Sequence, residues 1–181
     1  MKLQRAIAVY LTARIPGLHA FKDEIAFVAA GNPYPYFLID LISTRQKAVG
    51  TGVWDQTVDV DGVTFATKAV SVQQVLRFTV RAANTRYQNG NAVVAEVCDR
   101  IELLLDEICR TGAANIPVPE SDELLHLERV VFQGRYDITP IEKGMPFVYQ
   151  QALTFLFVEQ RLLQQEVAAT LQRIGITLTE D

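Results

Sequence analysis

Cysteine and histidine are scarce, two of each in 181 residues, with a single tryptophan. So few cysteines exclude a disulfide framework, and Cys98 and Cys109 cannot bridge each other either. They fall in one segment of strong helical period, separated by about 16 Å along its axis at ~1.5 Å per residue. A disulfide needs Cα atoms within roughly 7 Å. Both are expected to be free, packed thiols in a reducing compartment. Neither His19 nor His126 has a partner at zinc-finger or H-E-x-x-H spacing, so no metal site is expected. His126 lies near Glu123 and Glu128, and on a strand positions 126 and 128 share a face. A hydrogen-bonded pair is therefore allowed, and a solvated strand histidine is the alternative.

Long apolar runs are also missing, since none approaches the ~20 residues a transmembrane helix needs. Residues 1–14 set Lys2, Gln4, Arg5 and Arg14 among apolar neighbours, so neither a membrane span nor a secretory signal is expected. Positive charge does not predominate: 17 Lys+Arg stand against 21 Asp+Glu, a net charge of -4. That balance argues against broad binding to nucleic acid or anionic membrane by counterion release. The only Gly-x-Gly, Gly50 and Gly52, has Asp55 where a dinucleotide fingerprint needs its third glycine, and it leads into a hairpin rather than a helix. No G-x-x-x-x-G-K-[ST], G-x-S-x-G or C-x-x-C occurs. Asp55, Asp59 and Asp61 do not make a calcium loop, because Gly62 directly follows Asp61 and no Glu closes the loop. No cofactor, metal or catalytic activity is expected.

What remains is ample for one globular domain over residues 1–181, with 49% hydrophobic residues and 21% charged. Leu3, Ile7, Tyr10, Leu11 and Arg14 recur at spacings of three and four, predicting a first helix that Pro16-Gly17 ends. Phe21, Ile25 and Val28 continue a helical period to Gly31. Pro33 and Pro35 force extended backbone on the residues before them, feeding a strand over 36–45 that is apolar on both faces except at Asp40. Asp61-Gly62, between Val58-Asp59-Val60 and Val63-Thr64-Phe65, predicts a two-residue hairpin turn. Residues 75–82 alternate Leu76, Phe78, Val80 and Ala82 with Arg77, Thr79 and Arg81. Residues 91–111 carry the stripe Val94, Cys98, Ile101, Leu105, Ile108 and Cys109 of a long helix capped by Asn91. Residues 113–123 read as a surface connection. Strands follow over 124–136, with a bulge near Glu128-Arg129 where the apolar parity changes, and over 147–159. Leu163, Val167, Leu171 and Ile174 predict a terminal helix in an extension from about residue 160. The expected fold is α+β, a mainly antiparallel four-stranded sheet with helices packed on one face and a protruding β-hairpin.

Three groups stand out as surfaces. Arg77 and Arg81 point the same way, roughly 13 Å apart at ~3.3 Å per residue, and suit a partner's carboxylates or an in-sheet Asp or Glu. Tyr34, Tyr36 and Trp54 sit beside Pro and Gly, either as an interface patch or as a cap on the core. The hairpin arms bring Val58, Val60, Val63 and Phe65, which need covering, either by the hairpin's own sheet or by a neighbouring subunit.

The proline-tyrosine segment PYPYFLIDLIS after an N-terminal helix, Gly50 after the first strand, a hairpin leading to VLRFTVRA, a long helix and two closing strands together resemble the tail terminator or neck proteins of long-tailed bacteriophages. The resemblance covers about residues 1–160, and related terminators occur in contractile, phage-like particles. It implies a structural virion protein at the tail-head junction, assembled in the host cytoplasm, and not an enzyme. Such a protein forms a homo-oligomeric ring, a hexamer, on the tail-tube protein, stops tube polymerisation and docks the head-connector protein. DNA would pass through the ring without being specifically held. The expected subunit or partner interface, read from the surfaces above rather than from the resemblance, is Trp54, Val58, Val60, Val63, Phe65, Arg77 and Arg81. Two alternatives stay open: a small-molecule-binding or enzymatic α+β domain, with His126 and Glu128 the first place to look, or another head-completion or baseplate component.

Overall fold

A computed structural model describes residues 2–49, 56–60, 63–86, 88–110, 112–142 and 147–166. Helix α1, Lys2–Thr12, buries Leu3, Ile7 and Leu11 of the expected stripe together with Ala6, while Tyr10 is half-buried and Arg14 lies exposed beyond the helix. The chain turns after it through Gly17, whose φ of +74° suits a residue without Cβ. Strand β1, His19–Phe21, follows. Helix α2, Glu24–Ala29, is N-capped by Asp23, whose side chain accepts from the Ala26 N–H. The remaining elements are β2 (Tyr36–Ala48), β3 (Gln56–Val60), β4 (Val63–Ala83), α3 (Gly90–Ile108), β5 (Ala114–Pro117), β6 (Leu124–Arg135), β7 (Thr139–Glu142) and β8 (Val148–Glu166).

The expected four-stranded antiparallel sheet is not what forms. The strands make one eight-stranded mixed sheet in the order β1-β2-β4-β8-β6-β5, with β3 beside β4 and β7 beside β8. β1 runs parallel to β2, in the register His19↔Tyr36 to Phe21↔Leu38. The missing strands are short and carry little strand pattern. β1 has three residues, β5 includes Asn115 and ends on Pro117, and β7 includes Pro140. Each is held by its neighbour rather than by its own residues.

Two further expectations are corrected. The second arm of the hairpin and the strand expected over 75–82 are not separate: β4 is one strand of 21 residues, and β3 pairs with its start from Gln56↔Thr67 to Val60↔Val63. That register leaves Asp61 and Gly62 between the arms, outside the described residues. Nor do all helices lie on one face. Tyr36 and Phe37 are adjacent in β2 and so point to opposite faces. Phe37 joins the core formed with α1 and α3, whereas the Tyr36 ring stacks at 4.0 Å on Phe27 of α2. The predicted terminal helix is also displaced at its start, because Leu163 belongs to β8; residues 167–181 lie outside the described residues.

Two compact units divide the chain, Met1–Thr44 with Gln73–Glu159, and Arg45–Val72 with Gln160–Asp181. Within the first, one core joins the buried stripes of α1 and α3 to Phe37, Leu76, Phe78, Val80, Leu125, Leu127, Leu153, Phe155 and Phe157. The alternation predicted for 75–82 is what places Leu76, Phe78 and Val80 there. In β6 the parity change is seen directly: Leu125 and Leu127 are buried, then Val130 packs on the core and the Phe132 ring lies 5.3 Å from Phe155. Within the second unit, the β3–β4 pairing is continued by the Val49 N–H bonded to the Ala69 carbonyl, 3.1 Å, and Thr67, Val70 and Val72 are buried.

The start of α3 is tightly held. Asn84 Oδ1 accepts from the Gly90 N–H at 2.7 Å, and Asn89, not Asn91, is the N-cap, accepting from the Asn91 N–H. A Cβ on Gly90 would meet the Ala82 carbonyl oxygen and the Ala83 carbonyl carbon at 2.9 Å, both backbone. We predict that Gly90→Ala destabilises the fold by about 1–3 kcal/mol, the cost of overpacking. Gly134→Ala, where a Cβ meets nothing within 4 Å, should be near neutral. Urea unfolding of the two variants side by side checks this, and equal midpoints would contradict it.

Candidate functional site

On the face of the sheet away from α1 and α3, an aromatic cluster surrounds a single guanidinium. Asp23 starts α2 so that Phe27 turns inward. Its ring packs against Tyr34 (5.1 Å), Tyr36 (4.0 Å) and Phe21 (5.7 Å). Arg81 of β4 reaches this cluster because it alternates away from Val80 and Ala82. Its Nε donates to Gln150 Oε1 at 2.8 Å, and one terminal nitrogen donates to the Tyr36 hydroxyl at 2.9 Å and forms an ion pair with Glu24. The Tyr36 hydroxyl in turn donates to Glu24 Oε2 at 3.0 Å. Burial pushes the Tyr36 hydroxyl up to about 12, against the opposing pull of Arg81, so the phenol stays protonated and remains a donor. Glu24, Phe27, Tyr34, Tyr36 and Arg81, with Asn84, Thr85 and Ile141, line a concavity of about 540 Å³.

Arg81 is thus held by three partners inside the chain. Arg77 is held less closely: it donates through Nε and a terminal nitrogen to Asp40 Oδ2, at 3.3 and 2.9 Å, with both side chains nearly half exposed. Arg77 adopts the pairing with a carboxylate across the sheet that was weighed from the sequence, whereas the carboxylate of Arg81 is Glu24 of α2, its in-sheet partner being the amide of Gln150. Tyr36 is buried within β2, on the face opposite the core, rather than standing in a loop. Glu24, Phe27 and Gln150 were not legible as its neighbours, because nothing in their local spacing marks them.

The remaining candidates are scattered. Trp54, Gly50, Gly52, Asp55, Asp61 and Gly62 lie outside the described residues. Val58 pairs with Phe65 and Val60 with Val63 across the β3–β4 ribbon; Val63 is exposed and Phe65 half-buried. Asp59 is paired with Thr64 within the same ribbon. His19 lies on β1 with its ring 6.4 Å from Phe21. His126 Nδ1 stands 2.8 Å from Asn115 Oδ1 on neighbouring β5, a cross-strand partner that the focus on Glu128 missed. Among the described residues no group of three or more His, Cys, Asp or Glu could hold a metal ion, and no helix is long and apolar enough to cross a membrane.

The chain matches no protein-family model, and no curated protein matches it at a significant level.

The arginines differ in a measurable way. Arg81→Ala removes bonds from a partly buried cation and leaves the Tyr36–Glu24 pair without its donor. We expect a loss of about 2–3 kcal/mol, the scale of hydrogen bonds to charged groups. Arg77→Ala breaks an exposed pair and should cost under about 1 kcal/mol. Chemical denaturation of both variants decides, and a larger loss for Arg77→Ala would refute the assignment.

Both cysteines are free, Cys98 fully buried and Cys109 partly so. Burial pushes the Cys98 thiol from 9.0 up to about 12, and raises Cys109 as well. In the unfolded chain the thiol ionises first, so the contribution of Cys98 to stability is complete below pH 9 and is lost as pH rises from there towards 12. Tyr36 acts in the same sense above pH 10. We therefore expect the urea midpoint to fall as pH rises above 9, and to fall less steeply in Cys98→Ala. Parallel slopes for the two proteins would contradict the assignment.

Proposed function

We propose that the protein is a structural, ring-forming component of a phage or phage-like particle, a tail terminator that caps the tail tube and joins it to the head connector. The observation that carries this reading is the order of elements: α1, β2 entered through Pro33 and Pro35, the β3–β4 ribbon, α3, then β6 and β8. This is the order on which the resemblance rests. Short β1, β5 and β7 are additions to it, not replacements. Apolar side chains left at the surface add support. α2 buries Phe27 but leaves Ile25 81% and Val28 63% exposed, and Val63 of the ribbon is exposed too. Apolar groups left exposed on a surface are what subunit contacts use.

Ring closure requires head-to-tail contact between two different patches of the same chain. In this reading the ribbon residues Val58, Val60, Val63 and Phe65, with Trp54, supply one of them. Arg77 and Arg81 act from within their own ion pairs rather than as free cations. A net charge of -4 keeps DNA from sticking to the ring it crosses. Partners are further copies of the chain, the tail-tube protein and the head connector.

Native mass spectrometry of the full chain, alone and with tail-tube protein, is expected to give a closed ring of six. Val63→Asp should lower ring occupancy several-fold while leaving the circular dichroism spectrum unchanged. A monomer under both conditions would refute the reading.

A further inference from the structure

An open trough of about 560 Å³ runs between α3 and β6. Asp99, Glu102, Leu103 and Asp106 form its α3 wall, and Phe132 and Arg135 of β6 face them. Counted from Asp99, the helix positions fall at three, four and seven, which puts all four on one side of α3. Leu103 is 59% exposed and Phe132 40%. Two large apolar side chains thus meet solvent in the middle of a charged surface, the arrangement of an interface centre with a polar rim.

The rim is negative. It carries three carboxylates and one guanidinium, and that guanidinium is already held. Arg135 forms ion pairs with Asp99 and Glu102 and donates to the Ala95 carbonyl at 3.4 Å. Asp106 is exposed and forms no ion pair among the described residues. Such a surface selects a partner that brings cations to the rim and an apolar group to the floor.

A surface of that chemistry stands in the other compact unit of the chain. Arg45 and Lys47 of β2 are exposed, two residues apart, and so share one face of the strand. Val49 follows at the same spacing, 42% exposed, with its N–H bonded to the Ala69 carbonyl. Neither Arg45 nor Lys47 forms an ion pair among the described residues. Lys2, Arg5, Arg77, Arg81 and Arg135, in contrast, are all engaged with carboxylates of their own chain.

The spacings agree as well. Arg45 and Lys47 stand ~7 Å apart at ~3.3 Å per residue. Asp99 to Asp106 spans ~10 Å at ~1.5 Å per residue. Both cations therefore reach carboxylates of the rim at once, and Val49 is left for the floor.

We infer that the α3–β6 trough of one subunit receives residues 45–49 of the next. Arg45 and Lys47 meet Asp99, Glu102 and Asp106, and Val49 packs on Leu103 and Phe132. The contact joins two different patches of the chain, as a head-to-tail assembly requires. It supplies the second patch of the ring reading and rests on that reading only for closure.

The test uses the full-length protein with Leu103 replaced by p-benzoylphenylalanine. Equal amounts of ¹⁴N- and ¹⁵N-labelled protein are mixed, irradiated and mapped by mass spectrometry. Cross-links joining light to heavy chains at residues 45–49 are expected. Lys47→Glu should lower their yield at least threefold, Arg45→Glu should do the same, and adding Asp106→Lys to Lys47→Glu should restore it. Unchanged circular dichroism spectra show that the variants are folded. Cross-links confined to one chain, cross-links to other surfaces, none at all, or a yield indifferent to the charge reversals would overturn the contact. Native mass measured on the same samples separates it from the ring. Trough cross-links in a dimer or open chain keep the contact and refute the ring, whereas a ring whose cross-links miss residues 45–49 does the reverse.

Discussion

The core is organised around the ring of Phe78. It sits on β4, between β2 and β8 in the sheet, and is wholly buried. Its ring lies 6.3 Å from Phe37 of β2, and 5.6 and 6.3 Å from Phe155 and Phe157 of β8. Edge-to-face contact with Phe155, at 90°, is the arrangement favoured by ring quadrupoles. One side chain thus ties three strands far apart in sequence, and α1 and α3 are placed by the need to cover this aromatic floor. The stripes of both helices enter the same apolar cluster. With Phe78 in register, the strict alternation of β4 sends Arg77 and Arg81 to the opposite face.

That opposite face has to deal with a cation, which accounts for its different construction. The Arg81 side chain is only 22% exposed, so the face supplies Glu24, Tyr36 and Gln150 as acceptors instead of apolar cover alone. α2 is short and holds its place by one buried residue, Phe27, stacked on Tyr36. The outcome is a small second layer whose outer side keeps Ile25 and Val28 in solvent. A helix anchored this lightly leaves apolar side chains at the surface, and the open trough beside β1 is a second apolar surface.

Elements with strong periodicity were legible in detail. α3 was readable from Val94, Cys98, Ile101 and Leu105, all four buried as expected. The arms of the ribbon were readable from the alternation around Asp61-Gly62, and the pairing Val60↔Val63 has the register that a two-residue turn requires. Boundaries and partners were less so. Asn91 looked like the cap of α3 because it directly precedes the apolar stripe; the cap is Asn89, whose side chain bonds back to Asn91. Leu163 looked helical because its apolar successors recur at three and four, yet β8 runs through it to Glu166. His126 was measured against Glu128 along its own strand, while its partner Asn115 came from β5, a stretch whose Asn and Pro read as loop.

What the sequence by itself determined is therefore whatever depends on neighbours within about a turn or a strand of each other: the buried stripes of α1 and α3, the inward and outward sides of β4, the hairpin, and thiols too far apart to bridge. Periodicity places side chains on a face, and burial of that face follows from hydrophobic transfer alone. Only the tertiary structure decided which strand lies beside which, that three-residue β1 runs parallel to β2, that α2 takes the far face, and that Arg81 finds Glu24, Tyr36 and Gln150. Those choices come from contacts between residues dozens of positions apart. Their free energy is that of packing and of satisfying buried polar groups, and local spacing carries no record of it.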